Sequence, residues 1–223
     1  MIIDQIPFKP DEKALFSELH IRENSLSARQ VAAMLGQAQT IARPKAIYHL
    51  ALVEPIGNDE VLLDGVKFKS RIMRVNLENI HRVFAYVASC GREIYEWALS
   101  FDDPLERFWA DAIMVAALGN AADALYAHLR ERYQPGAMSA MNPGSLPDWP
   151  MTAQIPLFGL LGNVSEAIGV TLTDSLLMVP TKSVSGVYFP TESGYANCQL
   201  CPREKCPNRR AVYDPDLFAE KYK

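Results

Sequence analysis

Residues 169–189, GVTLTDSLLMVPTKSVSGVYF, are the stretch of sequence that is most informative about the fold. Apolar and β-branched residues occur in two runs, 172–179 and 184–189, and the residues PTKS at 180–183 separate them. Short apolar runs bounded by turn-forming residues are typical of β-strands. The stretch therefore predicts two strands joined by a short turn.

The chain before this stretch predicts further strands interleaved with helices. Strands are predicted at residues 46–53, 61–63, 66–68 and 82–90. Helices are predicted at residues 25–36, 93–99, 104–133 and 151–168. Residues 134–150 are rich in proline and glycine, which indicates a long loop of the kind that often carries function. This order of elements predicts one α+β domain.

The composition indicates a soluble globular protein and argues against several other classes. Hydrophobic residues make up 49% of the 223 residues and charged residues 22%, which is enough apolar material for a core and too little charge for disorder. The net charge of −4 argues against a general nucleic-acid or membrane-surface binder. Residues 1–10 lack the apolar centre of a secretory signal, and Gly119, Asn120 and Asp123 interrupt the apolar stretch 111–125. We therefore expect a cytoplasmic protein in which that stretch is a buried helix.

Three of the four cysteines form a motif near the end of the sequence. Cys198, Cys201 and Cys206 have the spacing C-x2-C-x4-C-P, in which thiolates separated by two and by four residues can bind one metal centre. Three thiolates predict a cubane iron–sulfur cluster with one non-cysteine or open ligand, a zinc ion completed by another residue, or a centre completed by a ligand from a second subunit. Reduced thiols without metal are the alternative. Cys90 stands apart, at the end of a predicted strand, and is predicted to be a structural residue.

The motif divides the sequence into an α+β domain at residues 1–193 and a metal-binding appendix at residues 194–223. No catalytic triad, phosphate-binding loop or carboxylate pair is indicated in either part. Asp111 and Asp123 lie in an apolar helix, where each carboxylate needs a solvent, capping or ligand contact. Any chemistry would come from bound cofactors, so the residues alone do not predict an enzyme.

Residues 169–189 resemble the C-terminal signature of the reactivation domain of cobalamin-dependent methionine synthase. In that family an LTES segment leads through M-x-P into SVSG and YF; this chain has LTDS at 172–175, MVP at 178–180, SVSG at 183–186 and YF at 188–189. A weaker similarity extends back to about residue 69. The ending Cys-Pro-x-Arg at 206–209 is similar to the tail of freestanding bacterial members of the family.

The resemblance implies a helmet-like α+β fold with a bent antiparallel sheet flanked by helices. It implies a protein that docks on a corrinoid methyltransferase or corrinoid protein and supports reductive remethylation of cobalt during methionine biosynthesis. If it is enzymatic, it is auxiliary to that methyltransferase. The alternative is a non-catalytic docking module with a structural metal site. The implied cofactors are the partner's cobalamin and S-adenosylmethionine, with the cysteine motif supplying an iron–sulfur cluster or zinc, and no nucleic-acid or membrane partner is implied.

The resemblance also implies a groove that binds a cofactor. Its candidate residues are Pro143, Gly144, Ser183, Ser185, Tyr188 and Tyr195. Two positions depart from the family motif Arg-x-x-x-Gly-Tyr, because Ala140 stands in place of the arginine and Ser145 in place of the tyrosine. Arginine offers a fork of donors to a carboxylate, which alanine cannot replace. Binding of S-adenosylmethionine would therefore need another cation, such as Lys182 or Arg132.

Overall fold

The structure is a computed structural model that describes residues 1–192, 194–206 and 209–223. The strands in these ranges are β1 (Ile2–Ile3), β2 (Lys45–Ile56), β3 (Glu60–Leu63), β4 (Val66–Lys69), β5 (Arg82–Ser89), β6 (Met138–Met141), β7 (Thr171–Leu172), β8 (Met178–Val179) and β9 (Ser183–Pro190). The helices are α1 (Glu12–Glu18), α2 (Leu26–Ile41), α3 (Arg71–Asn76), α4 (Arg92–Leu99), α5 (Pro104–Tyr133), α6 (Gln154–Leu161), α7 (Val164–Ile168) and α8 (Leu217–Lys221). Short 3₁₀ turns occupy Met151–Ala153 and Asn197–Leu200.

Most of the strands belong to one sheet. Its order is β4-β3-β2-β5-β9-β6, with β1 paired to β2, and β7 and β8 form a separate two-stranded sheet. The pairs β1–β2, β2–β3, β3–β4 and β6–β9 are antiparallel. The combination of helices with an antiparallel sheet confirms the predicted α+β class.

The chain divides into two compact units. Unit 1 contains Met1–Ile47, Val87–Glu131 and Val164–Val184, and unit 2 contains Tyr48–Tyr86, Arg132–Asn163 and Ser185–Lys223. The boundary between the units falls within β2, β5, α5 and β9. The domain boundary predicted at residue 193 stays a prediction.

Unit 1 is built on a hydrophobic cluster supplied mainly by α1, α2, α4 and α5. Ser25 starts α2 by accepting a hydrogen bond from the backbone N–H of Ala28 at 3.1 Å. Helix α5 is, among the described helices, the one long and apolar enough to cross a membrane by length and composition alone, a test that core helices also pass. Its buried residues recur along its length and include Trp109, Ile113 and Leu125.

The strand–glycine–helix junction of unit 1 has the predicted form. Gly91 has φ +95, and a Cβ atom there would overlap the carbonyl oxygen of Arg43, so glycine is required at this close approach. The preceding Cys90 is fully buried, and burial raises the pKa of its thiol to about 12. A protonated, inaccessible thiol is unreactive at neutral pH, which agrees with a structural role for Cys90.

Four sequence-based boundaries are wrong. The helix predicted at residues 25–36 is α2, which continues to Ile41. The predicted loop 134–150 contains β6, a strand without β-branched residues that pairs with β9. The predicted helix 151–168 is broken into a 3₁₀ turn, α6 and α7, because Gly162 ends α6 with φ +84. The predicted strand 172–179 is instead the β7–β8 hairpin, in which residues 173–177 form the turn.

Candidate functional site

A small polar cavity lies within unit 2. Its walls come from the start of α3, from β6 and the loop after it, and from the segment that follows β9. It is lined by Ser70, Ile72, Met141, Asn142, Leu146, Asp148, Trp149, Tyr195 and Asn197. Its free volume of about 10 Å³ is about enough for one water molecule. The cavity is therefore a small cleft.

Asp148 fixes one wall of the cavity to α3. Its carboxylate accepts hydrogen bonds from the backbone N–H groups of Arg71 and Ile72, each at 3.1 Å, and from the hydroxyl of Ser70. The Ser70 hydroxyl oxygen in turn caps the helix by accepting from the N–H of Met73 at 2.9 Å. Because the carboxylate oxygens already accept these hydrogen bonds, the structure indicates that Asp148 holds the loop in position.

Asn142 connects the cavity to the strands of unit 2. Its side-chain amide donates to the Tyr86 hydroxyl at 3.0 Å and to the carbonyl of Ser185 at 2.8 Å, and its Oδ1 accepts from the Asn197 amide at 3.4 Å. Tyr86 stacks on Tyr188 with ring centroids 4.3 Å apart. Burial raises the pKa of the Tyr86 hydroxyl well above its usual value, so it stays a neutral hydrogen-bonding group.

Trp149 and Tyr195 are the aromatic residues of the cavity. Trp149 is 4% exposed, its ring packs edge-on against Phe68, and its buried Nε1–H has no hydrogen-bond partner among the described residues. The Tyr195 hydroxyl donates to Oδ1 of Asn197 at 2.9 Å, and burial raises the pKa of Tyr195 above its usual value. Sequence reasoning nominated Tyr195 but missed Trp149, whose only sequence signal is its place in the proline-rich stretch PDWP.

The structure places five of the six nominated groove residues in unit 2 and Ser183 in unit 1. Tyr195 lines the cavity, whereas the Ser185 hydroxyl donates to Oε1 of Gln154 at 3.3 Å. The Ser183 hydroxyl donates to the carbonyl of Pro180 at 2.7 Å and is hydrogen-bonded to the Ser89 hydroxyl at 2.9 Å. Pro143 is buried, and the N–H of exposed Gly144 donates to the carbonyl of Trp149 at 2.7 Å. The nominated serines therefore hold the strand edges and the loop in place.

Ala140 does not line the cavity. Ala140 is paired with Tyr188 across β6 and β9, so their side chains share one face of the sheet. The next residue, Met141, points to the opposite face and lines the cavity. Ala140, Gly186 and Tyr188 define a Tyr188 face of unit 2. Asn142 links this face to the cavity, because its amide donates to the Tyr86 hydroxyl and Tyr86 stacks on Tyr188.

Each of the two cations nominated as a substitute for the family arginine contacts another side chain. In unit 1, Lys182 forms an ion pair with Asp111 at 2.9 Å. In unit 2, the Arg132 guanidinium lies 5.6 Å from the ring centroid of Tyr133. Position 140 therefore offers no guanidinium to the carboxylate of S-adenosylmethionine, because alanine has no donor group.

The cysteine segment is organised by an arginine. The guanidinium of Arg209 donates to the carbonyls of Cys198 and Cys201, each at 3.0 Å, and to the carbonyl of Arg203. The N–H of Arg210 donates to the Cys198 sulfur at 3.4 Å. Within residues 1–192, 194–206 and 209–223, no three His, Cys, Asp or Glu side chains are grouped as metal ligands. Within these described residues the three thiols are thus not gathered around one centre.

Comparison with known proteins identifies the type of fold. The structure has the fold of a methionine synthase reactivation domain. It superposes with a TM-score of 0.67 on the chain described as "Crystal Structure of the MetH Reactivation Domain bound to AdoHcy", covering 88% of this chain and 80% of that one at 17% sequence identity. The family model "Vitamin B12 dependent methionine synthase, activation domain" matches residues 120–210. No curated protein sequence matches the chain.

Proposed function

We propose that the protein is a freestanding reactivation-type protein that docks on a corrinoid methyltransferase or corrinoid protein and supports reductive remethylation of its cobalt. The observation that carries the proposal is the reactivation-domain fold over 88% of the chain, together with the family match at residues 120–210. That match includes β6, the loop after it and β9. The proposal places the protein in the cytoplasm, where such a partner would be found.

The chain's own residues would supply docking and positioning. The exposed side chains of Met151 and Ile155 follow the loop that carries Gly144 and Ser145, and they offer apolar surface to a partner. The absence of an excess of basic residues fits a protein partner better than a polyanion. The partner's corrinoid would supply the cobalt chemistry.

A reactivation assay tests the proposal. A corrinoid methyltransferase is prepared anaerobically in the Co(II) state and mixed with S-adenosylmethionine and a chemical reductant. We expect an equimolar amount of this protein to raise the rate at which the methylcobalt absorbance returns by about tenfold or more, which equals about 1.4 kcal/mol of barrier. A rate that is unchanged with every corrinoid partner tried would refute the proposal.

Ala140 and Ser145 favour a second candidate function, a corrinoid-protein docking module without chemistry of its own. Their side chains cannot form the charge-assisted contacts of an arginine and a tyrosine. Calorimetric titration separates the two functions. Binding of S-adenosylmethionine at micromolar concentrations supports the reactivation function, whereas complex formation with a corrinoid protein without such binding supports the docking module.

We also propose that Cys198, Cys201 and Cys206 bind an iron–sulfur cluster, or zinc, after rearrangement of the loop around Arg209. Their spacing carries this proposal, and the half-buried side chains leave them accessible. We expect anaerobic reconstitution with iron and sulfide to give visible absorbance in the wild type and in Cys90→Ala, and none in Cys201→Ser. Colourless protein with stoichiometric zinc would establish the zinc site instead, and protein that retains neither metal would contradict metal binding.

A further inference from the structure

An open groove lies within unit 1, between α4 and the hairpin of β7 and β8. Its free volume is about 310 Å³, which falls in the range of roughly 300–1,000 Å³ that is typical of ligand pockets. A Cβ atom at Gly169 would lie 3.7 Å from Cβ of Arg92, so the chain that leads into β7 passes directly beside the start of α4. The groove is lined by Arg92, Tyr95, Glu96, Leu99, Gly169, Thr171, Val179 and Pro180. None of these residues lines the cavity of unit 2, so the groove is a separate feature.

One face of α4 forms a wall of the groove. The four residues that α4 contributes have the spacing i, i+3, i+4 and i+7, which places them on one side of a helix. Arg92 and Glu96 lie in the first part of the helix, and Leu99, which is 61% exposed, is its last residue. The wall is therefore charged at one end and apolar at the other.

Arg92 and Glu96 form an ion pair that uses only part of each charged group. Nε of Arg92 donates to Oε1 of Glu96 at 2.8 Å. Among the residues that the structure describes, neither the two Nη groups of Arg92 nor Oε2 of Glu96 has a further partner. The pair therefore offers a cation and an anion side by side at one end of the groove.

Arg92 occupies a position at which the helix itself favours an anion. It is the first residue of α4, where the partial positive charge of the helix N-terminus attracts negative groups. Gly91 supplies no side-chain cap, and the first-turn carboxylate of Glu93 is paired with Lys45 at 3.0 Å. Arginine before glutamate is also the less favourable order for a pair four residues apart. A carboxylate bound at this end would be stabilised by the helix as well as by the guanidinium.

The groups of the groove match a free α-amino acid with a large apolar side chain. The two Nη groups of Arg92 form a fork that can bind a carboxylate with two hydrogen bonds, and Oε2 of Glu96 can accept one from an ammonium group. Leu99, Val179 and Pro180 offer apolar surface to the side chain. A free amino acid carries both charges on one carbon atom, whereas each end of a peptide carries only one. The adjacent charges of the ion pair therefore select the free amino acid.

We propose that the groove between α4 and the β7–β8 hairpin binds a free α-amino acid with a large apolar side chain, its carboxylate on Arg92 and its ammonium group on Glu96. The site belongs to unit 1 and does not rest on the proposed function, since no corrinoid partner takes part in it. It gives the protein a small-molecule site in addition to the groove implied by the family resemblance.

Titration of the ¹⁵N-labelled protein with L-phenylalanine and with L-leucine tests the site. We expect saturable shifts of the backbone N–H signals of α4 and of the β7–β8 hairpin, with dissociation constants of about 1 mM or below. Three analogues each lack one recognised group: phenylpropionate has no ammonium group, phenethylamine has no carboxylate and L-alanine has no large side chain. We expect each of them to bind about threefold more weakly or worse, because an exposed ion pair contributes on this order.

Two variants and a matched control test the roles of the two charges. Arg92→Gln and Glu96→Gln each remove one charge from a side chain that is more than half exposed, so both proteins should keep the fold. We expect each change to weaken binding of L-phenylalanine by about threefold or more. Glu96→Gln should also abolish the preference for L-phenylalanine over phenylpropionate. Glu60→Gln removes the anion of the Lys67–Glu60 pair in unit 2 and should leave the affinity unchanged.

The analogues and variants decide the inference together. A preference for the zwitterion that Glu96→Gln abolishes and Glu60→Gln retains supports the amino-acid site. Equal affinity of the wild type for L-phenylalanine and phenylpropionate overturns it, and this comparison needs no variant. The inference is also overturned if neither amino acid gives a saturable shift, or if the shifts occur only outside α4 and the β7–β8 hairpin.

Discussion

Replacing Gly186 with alanine is expected to lower the free energy of unfolding by about 3 kcal/mol, at the upper end of the cost of overpacking a core. Gly186 lies in β9, and a Cβ atom there would overlap the carbonyl oxygen of Met141 and meet the Tyr86 ring at 3.2 Å. The carbonyl belongs to the paired strand β6 and cannot move without breaking the strand register. The substitution would also displace the Asn142 amide, and with it one wall of the cavity.

The control for Gly186→Ala is the same substitution where space is open. A Cβ atom at Gly36 in α2 or at Gly159 in α6 would meet no atom within 4 Å. We expect Gly36→Ala and Gly159→Ala to stabilise the protein by up to about 1 kcal/mol, because alanine restricts the unfolded chain. Urea denaturation of the three variants measures the difference. Equal free energies of unfolding for Gly186→Ala and Gly36→Ala would contradict the close approach of β9 to β6 at Gly186.

Replacing Ala140 with arginine is expected to strengthen binding of S-adenosylmethionine by about 10- to 100-fold. A charge-assisted hydrogen bond contributes about 1.5–3 kcal/mol, and each 1.4 kcal/mol is a factor of ten in affinity. Ala140 pairs with Tyr188, so the introduced guanidinium would start from the face of the sheet that carries this groove candidate. Its half-buried position leaves the long side chain a route to solvent.

Calorimetric titration of wild type, Ala140→Arg, Ala140→Lys and Ala140→Gln measures this effect. Lysine supplies a point charge without the fork, and glutamine supplies length without charge, so we expect the gain to decrease from arginine to lysine to glutamine. Equal affinities for all four proteins would contradict the assignment of position 140 to the cofactor groove. An equal gain for arginine and lysine would indicate attraction by charge alone.

Elements with strong local signals were predicted well. The hairpin of β2 and β3 has turn-forming residues at its tip, and α5 has an aspartate and a proline at its start, so local chemistry defines their ends. Strand β6 has no such signal, because Met138, Ser139 and Ala140 have low strand propensity. Its conformation depends on hydrogen bonds to β9, a partner about 50 residues away in the sequence.

The residues of the candidate site also divide into those that the sequence indicates and those whose roles depend on tertiary contacts. Tyr195 could be nominated from a family resemblance, whereas Asn142 and Trp149 acquire their roles from contacts with Tyr86 and Phe68 that sequence order does not reveal. Asp111 was predicted to need a contact, and its partner Lys182 is remote in sequence. The three terminal thiols were predicted as one metal centre from spacing, but Arg209 and its backbone partners organise that loop in the structure.

The sequence by itself determined the α+β class, the order of the main elements and the resemblance in residues 169–189, because periodicity, caps and turns act over short distances. Only the tertiary structure decided which residues meet. It put Ala140 and Met141 on opposite faces of one strand, set Trp149 edge-on against Phe68 and buried Tyr222 with its hydroxyl on Asn76 of α3. These placements depend on burial and on long-range hydrogen bonds, which form between positions whose separation along the chain carries no local signal.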